Sequence, residues 1–108
     1  MKWSKWRLLP DPRQHGILVA PFGPGCYELR NGQQSILYGR GVNVAYRMTS
    51  LLPEKLGRGK RNNKDKRTYV LENLGSIEYR TLACASGEEA KTEERKLQLE
   101  RKKYRFPQ

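Results

Sequence analysis

GCYELRNGQQSILYGRGVNVAYR, residues Gly25 to Arg47, is the stretch from which the fold can be read. Cys26 to Arg30 and Ser35 to Tyr38 carry strand-forming residues, and Asn31-Gly32 between them is the strongest short-range hairpin signal. Gly39 and Gly41 let the backbone turn where a side chain would clash. Asn43 is placed to cap a helix whose inner face is Val44, Met48 and Leu51, and Pro53 marks its stop. Arg47, three residues after Val44, falls at the border of that face, where an arginine can point along the sheet surface. The unit is therefore strand, turn, strand, glycine loop and amphipathic helix.

Outward from this unit the pattern continues. Ile77 to Ala83 alternates as a strand, which completes a three-stranded antiparallel sheet. A helix before it has Arg67, Val70, Leu71 and Leu74 inward, with Gly75 as its stop. The last helix opens on the capping box Ser86 to Glu89 and places Ala90, Leu97, Arg101 and Tyr104 on one face. Glu93 and Glu94 flank that face at about equal angles, so periodicity does not choose between them. The fold class is α/β in the α+β sense, a small three-stranded antiparallel sheet with about three packed helices. Residues 1–21 form an N-terminal extension on or beside a core of residues 22–108. In it, Ile17 to Ala20 reads as an added edge strand, and Trp3 and Trp6 either cap the core or stack on bases.

The chain has 108 residues, room for one domain and one core. Its 22 Lys and Arg against 11 Asp and Glu give a formal charge of +11, which calls for a polyanionic partner, most commonly nucleic acid. The glycine-broken segment Pro53 to Asn63 carries Arg58, Lys60 and Arg61, and Lys64 and Arg67 follow; together they read as phosphate contacts. No apolar run approaches the roughly 20 residues of a membrane span and no signal-peptide apolar region opens the chain, so no membrane partner and a cytoplasmic location are expected. Cys26 and Cys84 stand far apart with one histidine, His15, in the chain, a pattern that argues against zinc and for reduced thiols in strands.

The residues quoted so far resemble the catalytic module of the GIY-YIG nucleases, whose signature is a Gly-x-Tyr strand, a Tyr-x-Gly strand end and a helix carrying an arginine. Gly25-Cys26-Tyr27 matches the first element, Leu37-Tyr38-Gly39 occupies the second, and Gly39, Asn43 and Arg47 fall at the family's spacing. Ala90, Glu94 and Leu97 reproduce the family's later helix, and Tyr104 to Pro107 is similar to the aromatic and proline segment after it. Only this spacing selects Glu94 over Glu93. The resemblance implies a metal-dependent endonuclease acting on DNA, or on RNA. It implies Glu94 holding one Mg²⁺ or Mn²⁺, Tyr27 accepting the proton of the attacking water, Arg47 on the scissile phosphate, and Arg40 assisting where the family often has lysine. A hard ion suits a site of one carboxylate and water. With the module filling nearly the whole chain, targeting falls to the basic segment, the N-terminal extension, a homodimer or a larger protein partner.

Two positions depart from the pattern: Leu37 replaces a signature tyrosine, and Leu51 stands where the family often has His or Tyr. Tyr38 adjoins Leu37 but points to the opposite face unless a bulge at Gly39 turns it. Leu37 supports the alternative of a degenerate GIY-YIG-like nucleic-acid-binding module without cleavage. A basic structural protein on ribosomal RNA would explain the charge as well, and leaves the spaced motif as coincidence.

Overall fold

The computed structural model describes residues 2–52 and 64–107. The segment with Arg58, Lys60 and Arg61 lies outside the described residues, as does Pro53. Four strands, β1 (Arg7–Leu8), β2 (Gly25–Asn31), β3 (Gln34–Gly41) and β4 (Ile77–Ala83), form one sheet in the order β1-β4-β2-β3, all neighbours antiparallel. Three helices, α1 (Val44–Met48), α2 (Lys64–Glu72) and α3 (Gly87–Gln98), pack on it, and Thr49–Leu51 prolongs α1 as a 3₁₀ turn. Among the described residues no helix is long and apolar enough to cross a membrane.

The central strand is β2, paired on both sides and buried from Gly25 to Leu29. Its turn into β3 sits one residue later than the Asn-Gly signal suggests: Asn31 pairs with Gln34, and Gly32 opens the two-residue loop at a left-handed φ of +61°. Further along, Leu29 faces Leu37 whereas Arg30 faces Ser35, so Ile36 is an extra residue in β3. Such a bulge bends the strand. It also brings Ile36 and Leu37, neighbours in sequence, into the same buried cluster.

Both faces of the sheet are covered. On one, Tyr27, Leu29 and Leu37 meet Val44, Met48, Leu51, Leu52 and Val70 from the α1 and α2 side. On the other, Cys26, Tyr38 and Leu82 meet Ala90 and Leu97 of α3 and Tyr104. Asn43 Oδ1 accepts from the Tyr46 amide at 3.0 Å, and Ser86 Oγ accepts from the Glu89 amide at 3.2 Å, so both caps form as the sequence suggests. The α3 helix ends at Gln98 rather than carrying on through Arg101. Arg101 is exposed in a 3₁₀ turn, and Tyr104 reaches the core on extended backbone instead. Gly75 stops α2 without the left-handed conformation of a glycine cap, within a turn where Asn73 Nδ2 donates to the Tyr69 carbonyl.

The sheet has four strands, not three, and the added edge is Arg7–Leu8 rather than Ile17–Ala20. β1 is recruited by its backbone: the Ser4 amide donates to Thr81 O and the Leu9 amide to Ile77 O, each at 2.8 Å, while Arg7 and Leu8 point their side chains to solvent. Residues 17–20 pass over the sheet without joining it, held where the Tyr79 hydroxyl meets the Val19 amide and carbonyl at 2.9 and 3.0 Å. Trp6 lies under the Arg30 guanidinium at 4.1 Å, and Arg80 lies over Trp3 and Trp6 at 4.6 and 4.7 Å. Both rings stack on arginines of the sheet, and Trp3 also packs against the buried cluster of Cys26, Tyr38 and Leu82. Each arginine also faces a carboxylate in register across β2 and β4, Arg30 with Glu78 and Arg80 with Glu28.

Candidate functional site

β3 is an edge strand, and two events along it define where the site lies. At its first half the C-terminal segment closes the edge: the Arg105 amide donates to Ser35 O at 3.0 Å and the Phe106 amide to Ile36 O at 2.9 Å. The Tyr104 ring packs 4.8 Å from Tyr38 on the α3 face, and Phe106 meets Tyr69 of α2 at 5.8 Å on the other. The second half, toward Gly39 and Gly41, borders a cleft of about 390 Å³ lined by Tyr27, Gly39, Arg40, Arg47 and Glu94. All four residues expected in the catalytic constellation therefore share one concavity.

Each is delivered by a different constraint. Tyr27 faces Gly39 across the β2–β3 pair, and its ring and hydroxyl occupy the space that any side chain at residue 39 would need. The glycine is required so that a buried tyrosine can lie across the edge strand toward the cleft. Arg40 faces Cys26, whose thiol donates to the Ala90 carbonyl of α3 at 3.3 Å. One helical turn beyond Ala90 comes Glu94, and its Oε1 accepts from Arg40 Nε at 3.0 Å. Arg47 arrives from the opposite face of the sheet. Its amide donates to the Asn43 carbonyl, and a Cβ placed on Gly41 would lie 3.2 Å from the Arg47 Cβ, so the glycine admits α1 close to the strand end.

Contact now distinguishes the two glutamates that periodicity left equal. Glu94 turns to Arg40 in the cleft, whereas Glu93 is paired with Lys96 of its own helix at 2.9 Å. Among the described residues Arg47 takes no ion-pair partner and is exposed, unlike Arg13, Arg30, Arg40 and Arg80, each of which holds a carboxylate. Tyr38 stays on the α3 face because the bulge falls at Ile36 and not at Gly39. Leu37 and Leu51 are fully buried in the opposite cluster. Arg67 is half-buried and donates to the Ser50 and Leu52 carbonyls at 3.1 and 2.8 Å, a cation on the carbonyl end of the α1 segment. That structural tie was not visible in the charge pattern. Lys64 opens α2, and His15 sits exposed at a left-handed φ of 65°, remote from this arrangement in sequence and in lining.

Cys26 and Cys84 both pack in the cluster on the α3 face. Burial, reinforced by Cys84, Glu94 and Glu93, pushes the Cys26 thiol up to about 12, and burial likewise raises Cys84; among the described residues neither forms a disulfide. A second polar network lies behind them. Glu28 is buried, accepting from Arg80 Nε at 2.8 Å and from the Tyr104 hydroxyl. Burial and the bond to Glu28 raise the Tyr104 phenol well above its ordinary value, so it is a donor to the carboxylate and not a base. Among the described residues no group of three or more His, Cys, Asp or Glu converges as a preformed metal cage. A hard divalent ion does not need one: Glu94 uses one oxygen for Arg40, and one carboxylate beside an open polar cleft fits an ion that retains most of its waters. No protein-family model, no curated protein and no solved structure matches this chain.

Proposed function

We propose that the chain is a GIY-YIG-type endonuclease that hydrolyses phosphodiester bonds in DNA with Mg²⁺ or Mn²⁺. The observation that carries this reading is the convergence of Tyr27, Arg40, Arg47 and Glu94 on one cleft from β2, β3, α1 and α3. A phosphate entering it meets the Arg47 guanidinium, which forms no ion pair among the described residues; it offers two parallel donors to the phosphate oxygens and neutralises the charge that grows on them. Arg40, released in part from Glu94 by the incoming anion, supplies a second donor. Tyr27, held over Gly39, takes the proton of the attacking water onto its phenolic oxygen as its own proton passes to solvent. Glu94 holds the divalent ion, whose chemistry is to polarise the phosphoryl group and assist the leaving oxygen. Arg58, Lys60, Arg61 and Lys64 take flanking phosphates; Arg67 has its structural work with the Ser50 and Leu52 carbonyls.

The buried Leu37 favours a second reading, a binding module of the same scaffold that no longer cuts, because the position of the second signature tyrosine offers no polar group to the cleft. Cleavage of supercoiled plasmid, linear duplex, branched DNA and single-stranded RNA with Mg²⁺ or Mn²⁺ separates the two. The endonuclease reading expects metal-dependent nicking, reduced about a hundredfold by Glu94→Ala, Tyr27→Phe or Arg47→Ala, the scale of one preorganised group. Tight, salt-sensitive binding without any cleavage would establish the second reading in its place.

A further inference from the structure

Phe22, Val42 and Tyr46 are exposed by 86, 78 and 63% although all three are large and apolar. The backbone gathers them around one short helix. The Val44 amide donates to Gly23 O at 3.0 Å and the Ala45 amide to Pro21 O at 2.8 Å, which pins the residues on either side of Phe22 against the first turn of α1. Val42 follows Gly41, the glycine packed on Arg47, and Tyr46 precedes Arg47 itself. Backbone bonds and chain adjacency therefore set these three exposed residues as an apolar and aromatic rim about the start of α1, the helix that carries Arg47, outside the lining of the cleft itself.

We infer that this rim is a stacking platform for an unpaired base next to the phosphate held at Arg47, so that the substrate is DNA with an unstacked nucleotide at the cut: a bulge, a fork or a single strand. The inference rests on the endonuclease reading and goes beyond it by naming the substrate class. An occupant of this surface must present a negative charge to Arg47 and an apolar face within one nucleotide's reach of it. A nucleotide does both, but in a regular duplex its base faces are hidden in the stack, and side chains at the backbone reach only phosphate and sugar. Aromatic rings outside the grooves gain contact only from a base already free of its partner, and such stacking tolerates any base identity. The platform therefore selects DNA by structure and not by sequence.

The test is binding by fluorescence anisotropy in EDTA, which removes cleavage from the readout, with three labelled DNAs: a duplex, the same duplex with one unpaired adenine, and the single strand. Wild type is expected to bind the bulged and single-stranded probes about tenfold more tightly than the duplex, the scale of one stacked base. Phe22→Ala with Tyr46→Ala removes that ratio, Tyr46→Phe retains it, and Arg47→Ala weakens all three probes together. Because Phe22 and Tyr46 are exposed, circular dichroism melts of these variants should superimpose on wild type. Equal affinity for duplex and bulged probes would overturn the inference while leaving the nuclease reading standing. So would wild-type self-association in sedimentation that the double variant abolishes, which would assign the rim to a second copy of the chain. Failure to bind any of the three probes would instead overturn the nuclease reading and this inference with it.

Discussion

Gly39 carries more of the site than its missing side chain suggests, because the space beside it is filled by the ring and hydroxyl of Tyr27. In Gly39→Ala the new methyl would force Tyr27 off its position, an overpacking cost of about 1–3 kcal/mol. Urea unfolding should show that loss, and cleavage should fall with it even in the folded fraction, since the phenol no longer reaches the cleft. Unchanged stability would mean that Tyr27 has another place to go. Glu28 follows Tyr27 on β2 and points to the opposite, α3 face of the sheet. Its carboxylate is buried between Arg80 and Tyr104, and removing it in Glu28→Ala leaves the Arg80 guanidinium without its charge partner. The expected loss is about 3–5 kcal/mol, against about 1–2 kcal/mol for Tyr104→Phe, where one hydrogen bond disappears and the ring stays. Chemical denaturation of the two variants side by side measures the difference, and equal losses would argue that Arg80 draws its stabilisation from Trp3 and Trp6 instead.

At the scale of elements, what the sequence made legible was local and what it concealed was long-range. The β2–β3 hairpin, the start of α1 at Asn43 and the start of α3 at Ser86 each announce themselves within a few residues, because turn and cap chemistry is satisfied by neighbours. The four cleft residues were picked out by the family resemblance and not by periodicity, which left Glu93 and Glu94 equal until contact with Arg40 distinguished them. β1 had no such signal. Two solvent-facing residues that join a sheet through backbone bonds carry no apolar pattern, while the continuous apolar run Ile17 to Ala20, which reads as a strand, is held by one tyrosine and stays outside the sheet. The Trp-Arg stack and the Glu28 network were equally hidden, since they join segments well separated in the chain, Trp6 with Arg30 and Arg80, and Glu28 with Arg80 and Tyr104. The consequence is that Ser4, Leu9 and the two tryptophans tie the N-terminal segment to the sheet, and a chain beginning at residue 22 should be less stable. It would lose the buried Leu9, the β1 pairing and both tryptophans from Arg30 and Arg80. The buried Leu9 alone supports an expected loss of about 2 kcal/mol, read as a lower denaturant midpoint. A truncated chain as stable as the whole would show that the extension merely rests on the core.

For the molecule as a whole, a positive charge of +11 must be held together by a core that lies on both faces of a small sheet, and this makes the alkaline limb of its stability informative. Cys26 is raised from an ordinary value near 9 to about 12, chiefly by burial. Above pH 9 the unfolded thiol releases its proton while the folded thiol keeps it, so the unfolded state binds fewer protons and stability falls as pH rises. The contribution is fully present below pH 9 and lost progressively between there and about 12, with a limiting slope of about 1.4 kcal/mol per pH unit for one proton. Tyr104, raised for the same reason and by its bond to Glu28, adds a second limb beginning near 10. Lysine deprotonation in the same range relieves self-repulsion and acts in the opposite direction, so wild type alone would not isolate the thiol. Comparison with Cys26→Ala does, because the lysines are common to both proteins. Urea midpoints measured from pH 8 to 10.5 should fall more steeply for wild type than for Cys26→Ala, whatever the variant's absolute stability. Parallel curves would mean that the thiol reaches water, and that α3, with Glu94 one turn beyond the Cys26 contact, sits less tightly on the sheet than the buried Cys26–Ala90 bond implies.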